Sequence, residues 1–249
     1  GVLEVRGEKS NRFIYNQPSG PNLSSVDAVV EYALGSDRPA IEERTTFFNG
    51  IISEYYLSPL PQAGRDLAAC ALQNFICNAW WVYDNWGKEW FSVWEGEPYM
   101  YHSSVDVEYT NAFFYLSFWP DLLKTLLQEW VTFEKELEQG KCVSHDMGVE
   151  HWANGMAYPH DMPVEENADY ILLLYTMWKN SGDTAFMQGE FAHVVDYTRF
   201  IFNCDTDGDG LPDINVDNTI DQGSHAVQHA RNQTYLGVKA LGAYRAASE

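Results

Sequence analysis

The stretch "DTDGDGLPDINVDNTIDQG", starting at Asp205, places six aspartates within nineteen residues. Asp205, Asp207 and Asp209 at alternating positions, followed by Gly210, match the start of a calcium loop, in which hard carboxylate oxygens wrap the ion and a glycine permits the sharp turn. The twelfth position is Val216 rather than a bidentate glutamate, so Asp213 or Asp217 would have to compensate. The same pattern fits an aspartate-rich turn held by side-chain to backbone hydrogen bonds. Asp221 comes just before a helix whose free amides favour an anion, which reads as a cap. His225 and His229 stand four apart, a zinc-compatible spacing, but lack an intervening glutamate and an obvious third ligand, which favours a packed or hydrogen-bonded pair.

Upstream, "NAWWVYDNWGKEWFSVWEGEPYMYHSSVDVEY" crowds Trp80, Trp81, Trp86, Trp90 and Trp94 toward Glu95 and Glu97. Tryptophan faces are broad apolar platforms with polar edges and suit sugar rings, although each also suits a core. Trp94 is the candidate platform beside the acids. A third loop, "CVSHDMGVEHWANGMAYPHD", offers His145 and Asp146 as polar candidates, or as a turn that satisfies its own backbone. Two carboxylates from distant loops, beside an aromatic wall, are the groups needed to break a glycosidic bond. One attacks or steadies the anomeric carbon and the other protonates the departing oxygen. No glycine-rich phosphate loop, GxSxG elbow or Cys/His arrangement of recognisable spacing supports another reaction class.

The elements that would position these groups are helical. In "SSVDAVVEYALG", Val26, Val29, Val30, Ala33 and Leu34 form one stripe, with a serine cap and Gly35 as a stop. Further helices are expected near 39–56, 64–82, 104–118, 120–138, 164–180, 184–203 and 224–247. The long connections at 82–103, 140–163 and 204–223 are where function is expected, with room for short strands. The fold class is therefore all-α, an array of antiparallel hairpins with long functional loops. Residues 1–22 read as a lead-in from an upstream region, and 23–249 as the N-terminal part of a catalytic domain truncated at its C-terminus.

With 36 acidic and 15 basic residues, the formal charge of -21 disfavours nucleic acid and anionic membrane partners. No apolar run is long enough to span a membrane, so the chain reads as soluble, cytoplasmic or secreted, with its oligomeric state open. The four cysteines are expected to be buried free thiols.

The segments "WEGEPYMYHSSVDVEY", "SHDMGV", "WKNSGDTAFM" and "DTDGDGLPDINVDNTIDQ" follow the order and approximate spacing of glycoside hydrolase family 116, which includes bacterial β-glucosidases and non-lysosomal glucosylceramidases. The chain resembles that family over roughly residues 60–249, and "SHDMGV" with "ARNQTYLGVKALGAY" resembles at least as much the β-xylosidase family of the same clan. The resemblance implies an (α/α)6 barrel, here incomplete because about eight helices are expected, and exo-acting, retaining hydrolysis of a β-linked glucoside or xyloside. It implies no metal in the chemical step, which leaves a structural calcium ion as the one cofactor expected. Glu95 matches the family's nucleophile, Asp221 its acid/base, and Asp106, His145 and Thr219 its sugar contacts; Glu97 is the competing nucleophile. Ile220 in place of an aromatic, "QGSH" in place of a tryptophan, and Ser103 and Ser104 in place of "NT" depart from the family. Retention needs the carboxyls roughly 5 to 5.5 Å apart, with Glu95 ionised and Asp221 keeping its proton. The other readings are an inverting glycosidase and a non-catalytic carbohydrate- or calcium-binding domain. The truncated polypeptide alone is expected to be poorly stable and close to inactive.

Overall fold

The structure, a computed structural model, describes residues 3–5, 8–10, 12–13, 25–83, 87–96, 98–220 and 225–249, with the backbone alone at 3–13, 55, 56, 225 and 226. In chain order the elements begin with strands β1 (Leu3–Val5), β2 (Glu8–Ser10) and β3 (Arg12–Phe13). Helices α1 (Val26–Leu34), α2 (Arg38–Ile51) and α3 (Gln62–Asn78) follow, α2 running into a π-helical turn at Ile52–Leu57. Next come β4 (Ala79–Tyr83), β5 (Glu89–Gly96), β6 (Tyr99–His102), α4 (Val105–Phe118) and α5 (Pro120–Trp130). The remainder is β7 (Lys135–Leu137), β8 (Gly140–Cys142), β9 (Trp152–Ala153), α6 (Pro163–Ser181), α7 (Thr184–Asn203), α8 (His225–Gln228) and α9 (Thr234–Ala247). The described residues are thus mostly helical, with three small sheets.

Helix α6 is the centre of the packing, lying against α4, α5, α7 and α9. Pro163 occupies its first turn, where a missing N–H costs nothing, and Gly182 ends it in the left-handed conformation at φ 71°, donating its N–H to Trp178. Asp183 then caps α7 by accepting from the Phe186 amide at 3.0 Å, so α6 and α7 form a tight hairpin. Tyr170, Ile171, Leu174 and Met177 of α6 join Leu123, Leu126 and Leu127 of α5, Tyr197, Phe200 and Ile201 of α7, and Leu236 and Ala240 of α9 in one buried core. Fully burying each Leu, Ile, Phe or Met side chain among them contributes about 1.5–3 kcal/mol.

Three expected helices are shorter than their periodicity implied. The helix expected to reach residue 82 stops at Asn78, because "AWWVY" is aromatic and β-branched and pairs antiparallel with β5. The one expected over 120–138 ends at Trp130, and Lys135–Cys142 forms a hairpin turning on Gly140, whose φ is 124°. That expected over 224–247 breaks between α8 and α9, where Asn232 is left-handed at φ 52°. The apolar stripe of α1 does not become core: Val26, Val30 and Leu34 are exposed, and none of α1, α2 or α3 carries a buried residue. Cys142 and Cys204 are buried free thiols as expected, but Cys70 and Cys77 are free and exposed on α3, because that helix has little packed over it.

Two strands of the lead-in join later elements: β1 pairs parallel with β9, and β3 pairs antiparallel with β4. Among the described residues no helix is long and apolar enough to cross a membrane.

Candidate functional site

Sheet β3-β4-β5-β6 delivers Glu95. Trp94 pairs with His102 and Gly96 with Tyr99, so Met100 and Tyr101 together oppose Glu95. Such a bulge re-aims a side chain at the end of a strand. Past β6, Ser103 is held in the left-handed region at φ 46°, an uncommon conformation for a non-glycine residue. Its bonds over-determine it: its N–H donates to the Val93 carbonyl at 2.8 Å, its Oγ accepts from the Val93 amide at 3.0 Å, and its carbonyl accepts from the Trp130 indole at 2.8 Å. The turn aims Ser104 at the sheet. Ser104 occupies the N-cap position of α4 but makes no side-chain cap; its hydroxyl donates instead to Glu95 Oε1.

Glu95, Asp106, His145 and Thr219 line one cavity of ≈ 260 Å³, with Tyr99, Tyr101, Val107, Tyr158, His160 and Met162. Asp106, in the first turn of α4, accepts from Thr219 Oγ1 at 2.7 Å through Oδ2, and its Oδ1 lies 3.6 Å from His145 Nε2. The Thr219 amide in turn donates to Glu165 Oε2 at 2.8 Å, tying this segment to α6. His145 stands 4.7 Å from Tyr158, ring centre to ring centre, and its Nδ1 is 3.0 Å from Asp146 Oδ2. Burial pushes the Glu95 carboxyl above its ordinary value, and the Ser104 hydrogen bond and the nearby His145 only partly offset this. The expected freely ionised Glu95 is thus held in a site that resists its charge.

Two candidate substrate contacts lie away from the cavity wall. Asp146 is fully buried and accepts from the amides of Gly148, Ala157 and Tyr158 at 2.9–3.0 Å, so it ties its own loop together and orients His145. Gly148 is required there, because a Cβ would come within 1.8 Å of the Trp152 carbonyl oxygen. Trp94 turns its indole to the Glu150 carbonyl at 2.9 Å and packs 4.9 Å from Trp80, while Trp90 belongs to the core. Among the described residues the cavity is lined by the phenol rings of Tyr99, Tyr101 and Tyr158 and by no tryptophan. Buried His102 is squeezed between the Ser92 hydroxyl and the Glu150 carbonyl, and desolvation lowers its pKa to about 4.

Asp221, Glu97, Trp86 and the side chain of His225 lie outside the described residues. His229 bonds Asp217 at 2.5 Å, matching the hydrogen-bonded reading of that histidine. In the aspartate loop, Asp205, Asp207 and Asp209 present oxygens within 4.8 Å of one another, and they also accept from the amides of Gly208, Gly210, Asp209 and Leu211. Asp213 is not part of that group: both its oxygens are taken by Thr206, its hydroxyl at 2.6 Å and its amide at 2.9 Å.

Beneath the cavity lies a group that no motif announced. Glu165, Glu166 and Asp169 of α6 are buried, and Lys239 of α9 reaches Glu165 at 2.5 Å and Asp169 at 2.7 Å. Burial opposes the charge of Lys239, but Asp169 and Glu165 outweigh it and raise its pKa. Burial, then Asp106 and Asp169, pushes Glu166 far above the usual carboxylate range. The available signal was "PVEEN", an acidic pair opening a helix whose first nine residues are all buried, but acids in a first turn read as dipole partners on a wet surface. His160, 3.3 Å from the Asn218 carbonyl, and the Asn218 amide that gathers the Val216, Val227 and Gln228 carbonyls were likewise not singled out.

No curated protein matches the chain. The model of the glutaminase A six helical-hairpin domain matches residues 75–249, from the last turn of α3 through α9, and so takes in every lining residue of the cavity. The α6–α7 hairpin and its neighbours fit a helical-hairpin domain, and the chain belongs to the glutaminase A six helical-hairpin domain family, which is associated with glycoside hydrolase-type proteins.

Proposed function

We propose that this domain belongs to a retaining exo-β-glycosidase that releases a terminal β-glucosyl or β-xylosyl residue, with 23–249 forming part of an (α/α)6 barrel. The observation that carries the reading is that Glu95, Asp106, His145 and Thr219, from four separate segments, share one small cavity. Ser104 engages Glu95 Oε1, and Oε2 is the oxygen we assign to attack. As its bond to the anomeric carbon forms, the bond to the leaving oxygen breaks and Asp221 supplies that oxygen's proton. Water then attacks the glycosyl enzyme, returns a proton to Asp221 and frees Glu95. Asp106 and His145 are assigned to the sugar hydroxyls. Thr219 orients Asp106, and Asp146 orients His145.

Glu95→Ala tests this directly. It is expected to abolish covalent labelling by a mechanism-based fluoro-sugar and to restore turnover with added azide; labelling that survives the change refutes the assignment. An inverting enzyme would show the opposite anomer in the first product seen by NMR. The family's name favours a second reading, hydrolysis of the glutamine side-chain amide. Ammonia released from glutamine, together with no sugar released from aryl β-glucoside or β-xyloside, would select it. Binding of either sugar without turnover would instead select a non-catalytic carbohydrate-binding domain. We also propose a structural calcium ion at Asp205, Asp207 and Asp209, and calorimetric silence at millimolar calcium in chelator-stripped buffer would end that proposal.

A further inference from the structure

The carboxylates around the cavity floor are not equally partnered. Asp146 is held by three backbone amides, and Glu165 and Asp169 by Lys239. Two others have no such relief. Among the described residues, Glu166 is fully buried with neither oxygen hydrogen-bonded, and Asp106 has one oxygen on Thr219 while the other, Oδ1, is buried and unbonded. Both unrelieved groups point to the same place as His145 Nε2, and the three ligand atoms lie within 4.8 Å of one another. Donor atoms about 2.0–2.2 Å from a tetrahedral ion stand about 3.3–3.6 Å apart; Asp106 Oδ1 and His145 Nε2 are already 3.6 Å apart, and the pairs with Glu166 would close by at most about 1.5 Å.

His145 is arranged as a ligand. Its Nδ1 is engaged by the buried Asp146 carboxylate, which fixes the ring and turns Nε2 toward Asp106 Oδ1, 3.6 Å away. A carboxylate behind the far nitrogen is how metal-bound histidines are commonly oriented. Two carboxylates and one imidazole form a mixed oxygen and nitrogen set, which suits a divalent transition ion better than calcium or magnesium. Because Asp106 and His145 also line the cavity, a remaining coordination position would face it.

We propose that Asp106, His145 and Glu166 hold one divalent transition-metal cation, of the Zn²⁺ type, at the floor of the cavity. The site shares Asp106 and His145 with the glycosidase reading, so a bound cation would take the atoms assigned there to the sugar hydroxyls and would meet the sugar itself through its open position; Glu95 is not a ligand. Nor does it use the aspartate loop, which lies at the protein surface and offers oxygen alone.

Isothermal titration of Zn²⁺ into chelator-stripped protein is expected to show one tight site per chain. Glu166→Gln is expected to weaken it by about 100-fold or more, since even groups behind the ligands are worth about 10–100-fold. Asp205→Asn and Glu95→Ala should leave it unchanged, and any weak binding at exposed histidines should be common to all variants. Should Glu166→Gln fail to fold, Co²⁺ added to the unaltered protein decides the matter: strong visible ligand-field bands that Zn²⁺ bleaches support the site. Zn²⁺ binding by Glu166→Gln equal to that of the parent would overturn the proposal. So would absence of both Zn²⁺ heat and Co²⁺ bands in the parent, leaving a proton shared between Asp106 and Glu166 as the account of the unbonded oxygens. Loss of turnover in Glu95→Ala with the Zn²⁺ site intact, or the reverse, separates failure of one assignment from failure of the other.

Discussion

Six aspartates crowd the loop after α7 within nineteen residues, whereas the carboxylates at the cavity floor are collected from α4, the loop after β8, and α6. In the loop, neighbouring amides are close enough to satisfy the side chains: Asp205 alone accepts from Gly208 and Gly210, both at 2.8 Å. Water is available for the remaining lone pairs. At the floor, local backbone relieves only Asp146, and Lys239 must come from a helix about seventy positions away to meet Glu165 and Asp169. Acidic density along the chain therefore marks the place where charge is easy to carry. Acidic density in space marks where it is costly.

The sharpest way to break this contrast is to remove Lys239. Lys239→Met leaves Glu165 and Asp169 buried without their cation and is expected to cost about 3–5 kcal/mol of stability at neutral pH. Urea unfolding measures it, and a loss within the error of the extrapolation would show that the floor is already neutral. Next in size is the acid response of His102, whose folded pKa of about 4 lies below its ordinary 6.5. Between those values the unfolded chain binds the proton and the folded chain does not. Stability from this group is therefore complete above pH 6.5 and declines as pH falls toward 4, by on the order of 3 kcal/mol for the full shift. An NMR titration of the His102 ring with a midpoint near 6.5 would contradict it. The smallest effect belongs to the loop: Asp205→Asn keeps one acceptor at an exposed turn and is expected to cost about 1 kcal/mol or less in the same unfolding assay. A larger loss on addition of chelator than on mutation would show that an ion, not the loop's own amides, holds it.

Much of the candidate site was legible because the residues that match the family's motifs sit in recognisable runs. "WEG", "SHD" and "NTI" supplied Glu95, His145 and Thr219, and the cavity collects all three with Asp106. Trp94 and Asp146 were drawn from the same runs but face away from the cavity, since a run of residues does not reveal which side of a bulged strand or loop looks inward. Helix α1 teaches a similar lesson. Its apolar stripe is genuine, yet Val26, Val30 and Leu34 stay exposed, because periodicity describes a face and not the partner that would cover it.

By itself the sequence determined a helix-rich chain of strong negative charge and a break at Gly182 between two helices, while the family resemblance singled out Glu95, Asp106, His145 and Thr219, which line one cavity. These follow from backbone sterics, capping and short motifs, all of which act over a few residues. Only the tertiary structure decided that Glu166 is buried without a hydrogen bond and that Lys239 neutralises Glu165 and Asp169. It alone decided that Ser104 gives up its cap to hold Glu95. The reason is physical: desolvation and charge pairing depend on what packs within a few ångströms, and those neighbours come from segments far apart in the chain.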